Sequence, residues 1–363
     1  MISLQSLATD SPHAAMTAED THALLGRLLP PAEAERCRPL VDASRIRRRS
    51  AVARPARLAQ LGGIDERTAL YASLAVPLAE RVARTALSGA GVTPHEVGAL
   101  LVASSTGHLV PTLDQHVAAR LGLAPTARRL ALDGLGCAGA VRAMGTAADL
   151  LRGAPDGVAL VVAVELCSLW LPVGELGPHD VQTALAFGDG AAAAVLRAGA
   201  PAPGPELVAH RSVLWPDSLS ARRSVLTSSG LRHLASPRIG RVVARHLRAT
   251  VEEFLAAHGL GRGDLGFFAV NPSELALAQA IADHLGLPAQ TMAVAGDVWA
   301  QHGNTLSVAP LHVLRTLQAA PPAAGALGVL LVLGPGITCD LLLLRWHGAL
   351  PATHREEDTP ALA

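Results

Sequence analysis

Leu132-Asp-Gly-Leu-Gly-Cys137-Ala-Gly-Ala-Val-Arg-Ala-Met-Gly145 decides the reading of this chain. The apolar run Arg129-Leu-Ala-Leu132 leads into it and predicts a short buried strand. The small-residue segment from Ala138 to Leu151 predicts a helix. Cys137 is thereby set in a Gly-rich turn at a helix N-terminus. There the backbone dipole favours a thiolate, and free N–H groups can receive an anion. The turn alone is equally compatible with a small packed cysteine.

Outward from Cys137, strand and helix alternate. Val97 to Ala103 predicts a strand closed by Ser104-Ser-Thr-Gly107, and a helix is expected from about Leu113 to Leu121. Val158 to Val164 predicts a buried strand, and Phe187-Gly-Asp-Gly-Ala-Ala-Ala-Ala-Val-Leu196 another. Upstream, residues 1–35 read as a polar lead-in with one amphipathic helix, Ala18 to Leu29, stopped by Pro30-Pro31. The cluster Arg45-Ile-Arg-Arg-Arg49 reads either as a solvated charged segment or as a phosphate contact. A long helix is expected from Asp65 to Ala90, ended by Gly89 to Gly91.

The Pro-, Gly- and Ala-rich stretch Pro201 to Pro205 reads as a linker, after which the pattern repeats. Leu265 to Val270 predicts a strand ending at Asn271-Pro-Ser273, with a helix to about Leu285. A short strand is expected at Thr291 to Val294, and Gln301-His-Gly-Asn-Thr-Leu-Ser307 opens a helix to Leu317. Leu327 to Leu333 and Ile337 to Trp346 complete the second set of strands. Ser105 to Cys137 spans 32 positions and Asn271 to Asn304 spans 33; Cys137 to Val158 spans 21 and Asn304 to Leu327 spans 23. Two copies of one strand–helix unit follow from these spacings. Pairing them about a pseudo-twofold puts Cys137 and Asn304 at equivalent helix N-termini, facing each other across a cleft where ligands bind. The halves are residues 1–200 and 201–347, and 348–363 reads as a disordered tail.

Composition narrows the chemistry. The 363 residues carry a formal net charge of zero, which gives no global attraction to nucleic acid or acidic lipid. All thirty basic residues are Arg, so lysine Schiff-base chemistry is excluded. Cys37, Cys137, Cys167 and Cys339 are far apart and form no CxxC pair, which suggests neither zinc site nor disulfide framework and fits a reducing cytoplasm. No basic segment followed by an apolar core marks a secretory signal at residues 1–20. The longest apolar runs have strand length, not membrane length.

Six segments, in order and at this spacing, resemble the thiolase superfamily, and within it the chalcone-synthase-like, or type III, polyketide synthases of bacterial type. They are Ser104-Ser-Thr-Gly107, Gly136-Cys137-Ala-Gly139, Val164-Glu-Leu-Cys-Ser168, Phe187-Gly-Asp-Gly190, Gly303-Asn304 and Gly334-Pro-Gly336-Ile-Thr338. The resemblance runs from about residue 20 to 347. It implies an α/β fold, the five-layered α-β-α-β-α thiolase fold made from two duplicated halves, assembled as a homodimer. It implies no metal and no organic cofactor. The acyl group comes from an acyl-CoA onto Cys137 and is extended by decarboxylative Claisen condensation with malonyl-CoA. A carrier protein in place of coenzyme A as donor stays open.

The resemblance also assigns residues. Cys137 matches the nucleophile and Asn304 the asparagine that stabilises the oxyanion. The family's histidine matches Asn271, in Val270-Asn-Pro-Ser-Glu274. An amide donates hydrogen bonds but takes no proton and cannot be the cation of an ion pair. Glu274 replaces one of the glycines that border the coenzyme A tunnel. His108 and His302 are the histidines considered as compensating bases. Phe187 matches the gatekeeper between tunnel and cavity, and Val110 the residue that reaches across the dimer. Trp170 and Leu231 fall near cavity-lining positions, where Trp170 would shrink the cavity and shorten the product. Arg47 falls near a residue that binds coenzyme A phosphates. Three functions are carried forward: a condensing enzyme, an acyltransferase that has lost decarboxylation, and a non-catalytic partner of a competent enzyme.

Overall fold

The computed structural model describes residues 1–171, 181, 185–199, 202–228 and 230–349. Residues 350–363 of the expected tail, and Pro201 of the expected linker, lie outside them.

Strand β1 (Ile2–Asp10) opens the chain, followed by the two-stranded pair β2 (Ala14–Thr17) and β3 (Arg48–Ala51). The first half continues with β4 (Val97–Ser104), β5 (Arg128–Asp133), β6 (Val158–Leu166) and β7 (Asp189–Ala198). The second half holds β8 (Pro205–Leu214), the hairpin β9 (Arg222–Thr227) and β10 (Gly230–Ala235), then β11 (Phe267–Val270), β12 (Leu327–Gly334) and β13 (Thr338–Trp346). Nine strands form one mixed sheet in the order β11-β12-β13-β8-β1-β7-β6-β4-β5. Read outward from its middle, the sheet mirrors itself: β1-β7-β6-β4 on one side, β8-β13-β12-β11 on the other. The two sides meet at the single pair Ser3↔Glu206.

Burial on both faces explains the continuous apolar strands. Every residue of β6 is buried, as expected of a strand covered by helices on both sides. Its alternate residues serve two cores. Leu160, Val162 and Val164 pack with the long Ile64–Gly89 helix, while Ala159, Val161 and Ala163 face the Gly139–Arg152 helix. β12 divides likewise: Leu330 and Val332 join that same central core, while Val329 and Leu331 join a third core beneath the Ile239–Ala256 and Leu275–Leu285 helices. The result is five layers, with the Gly139–Arg152 and Ala309–Ala319 helices shared in the middle. Small residues allow this close stacking. A Cβ on Gly139 would stand 2.9 Å from Ser307 Cβ and 3.2 Å from Ala103 Cβ. Enlarging a fully buried alanine such as Ala193 would cost ~1–3 kcal/mol through overpacking.

Four expectations are corrected. Residues 2–10 are a central strand and not a polar lead-in; their serines at 3 and 6 are buried. Thr291 to Val294 lies inside the helix Ala289–His302, so the second half lacks a partner for β5. The strand before Cys137 is at the sheet edge and half exposed. Arg49 is neither solvated nor set to meet phosphate: it is buried, and its guanidinium donates to the Phe187 carbonyl.

Candidate active site

Cys137 occupies a single 3-10 turn, Gly136–Ala138, immediately before the Gly139–Arg152 helix. Gly136 takes a φ of +51°, and a Cβ there would come within 3.1 Å of Pro335, so the nucleophile turn and the Gly334-Pro-Gly336 loop need glycine to approach. Cys137 is buried, and it lines a cavity of about 620 Å³ together with Asn304, Phe187, Arg222, His233 and Ser273.

The two helix starts meet as the internal repeat predicts: Cys137 Sγ lies 3.6 Å from Asn304 Oδ1. The Asn304 amide is oriented twice over. Its Oδ1 accepts from Leu306 N at 3.0 Å, and its Nδ2 donates to the Ser273 carbonyl at 3.0 Å. Asn304 therefore meets the thiol with an acceptor, which suits S–H and not S⁻. One Nδ2 proton remains beyond the Ser273 bond. Asn271, at the end of β11, differs. It is 4% exposed, and neither amide atom has a hydrogen-bond partner of ordinary geometry among the described residues. It approaches Sγ closely enough to favour the thiolate.

Burial raises the Cys137 thiol above its usual range. The positive charge of Arg222 acts against that rise, while the charge of Glu165 adds to it. Arg222 stands at the start of β9 and donates through Nη1 to Ser273 Oγ at 3.2 Å.

Glu165 is the brace of the site. It is fully buried in β6 and accepts from Ser105 N at 3.0 Å, Thr106 Oγ1 at 2.9 Å and Ser307 Oγ at 2.5 Å. Ser105 Oγ in turn accepts from Gly136 N at 2.9 Å. One carboxyl thus ties the Ser104–Gly107 loop to both helix starts, and burial pushes its pKa up to about 7 despite these donors. Phe187 stacks on His233, with ring centroids 4.5 Å apart and planes 9° from parallel. The Phe187 carbonyl is held by Arg49, whose charge also eases the burial of Asp189.

The remaining expected residues are placed as follows. Leu231, in β10, lines the cavity. Trp170 does not: it is packed in the first-half core and its indole donates to the Thr106 carbonyl, so it takes no volume from the cavity among the described residues. Val110 is 87% exposed on the surface. Arg47 is exposed, its backbone N–H donating to Ala300 O at 2.8 Å. Neither candidate base reaches the thiol. His108 is exposed, 3.7 Å from Asp133, and His302 stacks on His312 at 3.8 Å. Arg222, Glu165 and His233 were not singled out by the sequence. Glu165 had a signal, as the one charge in an apolar strand; the orientation of Arg222 depends on the hairpin and had none. No helix of the described residues is long and apolar enough to cross a membrane.

Comparison with known proteins gives the family of the chain. The profile of the N-terminal domain of chalcone and stilbene synthases matches residues 54–200. A 1,3,6,8-tetrahydroxynaphthalene synthase of Streptomyces peucetius subsp. caesius is 36% identical over 79% of this chain and 78% of its own length. The alpha-pyrone synthesis polyketide synthase-like Pks18 of Mycobacterium tuberculosis is 31% identical over 94% of this chain and 90% of its own. Among solved structures, the bacterial type III 1,3,6,8-tetrahydroxynaphthalene synthase of Streptomyces coelicolor superposes with a TM-score of 0.89 at 26% identity, covering 96% of this chain and all of that one.

Proposed function

The chain belongs to the chalcone and stilbene synthase family of type III polyketide synthases, and from that premise we propose that it loads an acyl group from an acyl-CoA onto Cys137 and extends it with malonyl-CoA. The observation that carries this reading is the facing pair Cys137 and Asn304, with Sγ 3.6 Å from Oδ1 in a cavity of about 620 Å³. The Cys137 thiolate attacks the thioester carbonyl, the C–S bond to coenzyme A breaks, and the leaving thiolate takes a proton from solvent. Malonyl-CoA loses carbon dioxide, and its enolate carbon attacks the Cys137-bound acyl carbon. Cys137 leaves as thiolate and the lengthened chain remains on coenzyme A. The free Nδ2 proton of Asn304 and the amide of Asn271 are the donors for the thioester oxyanion and the enolate. The reaction needs no metal or organic cofactor, and the enzyme works as a homodimer.

A second reading is favoured by two residues. We take Asn271 to stand where the family has its histidine, and an amide there cannot carry a proton. Glu274 lines the same cavity and repels the malonyl carboxylate. Both favour acyl transfer from a thioester to an acceptor without decarboxylation.

Intact mass after incubation with a panel of acyl-CoAs tests the first step. An acyl adduct is expected on the wild-type protein and not on Cys137→Ala; the same adduct on both removes Cys137 from the chemistry. Release of labelled carbon dioxide from malonyl-CoA then separates condensation from plain acyl transfer.

A further inference from the structure

We propose that Arg222 is the positioning cation that favours the thiolate form of Cys137 against the burial that opposes it, a permanent charge placed where a protonated imidazole would otherwise act. This rests on the reading of Cys137 as the nucleophile.

Three observations lead there. Arg222 and Cys137 line one cavity, and a hydrogen-bonded chain joins them: Arg222 Nη1 to Ser273 Oγ at 3.2 Å, then the Ser273 carbonyl to Asn304 Nδ2 at 3.0 Å, then Asn304 Oδ1 to Sγ at 3.6 Å. The backbone of Arg222 is also fixed, its carbonyl accepting from Gly336 N at 2.7 Å. Among the described residues no carboxylate lies within ion-pair distance of its guanidinium, so its charge is not spent on a structural partner. A guanidinium that faces a part-buried cavity without a counter-ion is matched by an anion formed or bound there.

No imidazole competes for that role. His233 is the one histidine on the cavity wall among the described residues, and it is stacked on Phe187. Burial, aided by the nearby Arg222 charge, pushes it down to about 4, so it is neutral when a thiol ionises. The charged and titratable groups that act on Sγ are Arg222 from β9 and Glu165 from β6, and the Cys167 thiol lies close by. Arg223 and Glu274 also line the cavity, but Arg222 is the cation whose charge acts on Sγ. Asn271, with its free amide, is the neutral donor that completes the thiolate site.

The test is the pH profile of Cys137 alkylation by iodoacetamide, with Cys137→Ala identifying the adduct. It uses no coenzyme A thioester, so its outcome is separate from that of the acylation experiment. Arg222→Gln retains a donor for Ser273 but removes the charge. Its profile should move up by about one pH unit, a tenfold loss of thiolate below the midpoint. Arg222→Lys should restore most of the shift. Superimposable profiles for wild type, Arg222→Gln and Arg222→Met, in variants that unfold at the wild-type temperature, would overturn the proposal. If Arg222→Met and Arg222→Gln do not fold, the salt response of the wild type decides. A wild-type salt response, with the thiol midpoint rising between ~0.01 and ~1 M salt as Debye screening increases, is the outcome expected of a charge pair; a midpoint indifferent to salt sinks it.

Discussion

Ser105 and Asn271 close corresponding strands, β4 and β11, in the two halves, yet they are treated in opposite ways. Ser105 is fully engaged: its N–H is held by Glu165 and its hydroxyl by the backbone of Gly136. Asn271 is more deeply buried, and its side chain is bonded to nothing of ordinary geometry. A buried amide without partners is destabilising unless something else uses it. The first half of the molecule spends its polar groups on holding the nucleophile turn in shape. The second half leaves polar groups unspent around the sulfur, which is what a site for transient negative charge requires. The same division separates Glu165, saturated with donors, from Arg222, which has no carboxylate within ion-pair distance among the described residues.

The comparison breaks most visibly if Cys137→Ala still accumulates an acyl adduct; complete loss is expected, read by intact mass. Next in size is Asn304→Ala. Loss of one oxyanion donor costs ~10²–10³-fold in turnover, measured as coenzyme A release, and a rate within a few-fold of wild type would move the oxyanion site elsewhere. Glu165→Gln comes third, and its readout is stability. A carboxyl whose folded pKa is raised to about 7 contributes fully below its ordinary value near 4.5 and loses that contribution as pH rises through 7. Urea unfolding of the wild type should therefore weaken by about 3 kcal/mol over that window on account of this group. The Gln variant should lack that part of the slope. Asp189, which burial pushes up to about 6, keeps its own smaller decline of the same sign in both proteins. The smallest effect is the sharpest test of the contrast itself. Ser105→Ala should cost ~1–2 kcal/mol by leaving Gly136 N unpaired, whereas Asn271→Leu should be neutral or stabilising. Equal losses would mean that Asn271 has a structural partner after all.

Much of this was legible in the sequence because apolar strands and small-residue helices carry their own pattern. The Leu113–Leu121 helix and the Val158–Leu166 strand follow directly from their residues. β1 was not legible. Ser3 and Ser6 are buried in the sheet, and serine in that density reads as surface. Thr291 to Val294 misled in the other direction: a short β-branched run was overruled by its helical surroundings from Pro288 onward. In the site, Cys137, Asn304 and Phe187 were found because glycine-bearing turns mark them. Arg222 was not, since nothing in Ser220-Ala-Arg-Arg-Ser224 tells that these arginines line the cavity until the β9–β10 hairpin is folded over it. Trp170 erred for a related reason, being assigned to the cavity when its ring had turned into the core.

β1 carries a consequence for how the protein is made. It leaves the ribosome long before its neighbours, since its register partners run from Ala191 to Ala198 and its other neighbour begins at Pro205. At ~5–20 residues per second, the strand waits of the order of ten to forty seconds before its neighbours exist. Until then it is an apolar ribbon with two open hydrogen-bonding edges, the form of chain that chaperones bind and that aggregates when they do not. Yield in a foreign host should respond to substitutions in β1 and to chaperone supply more than to any residue in the cavity.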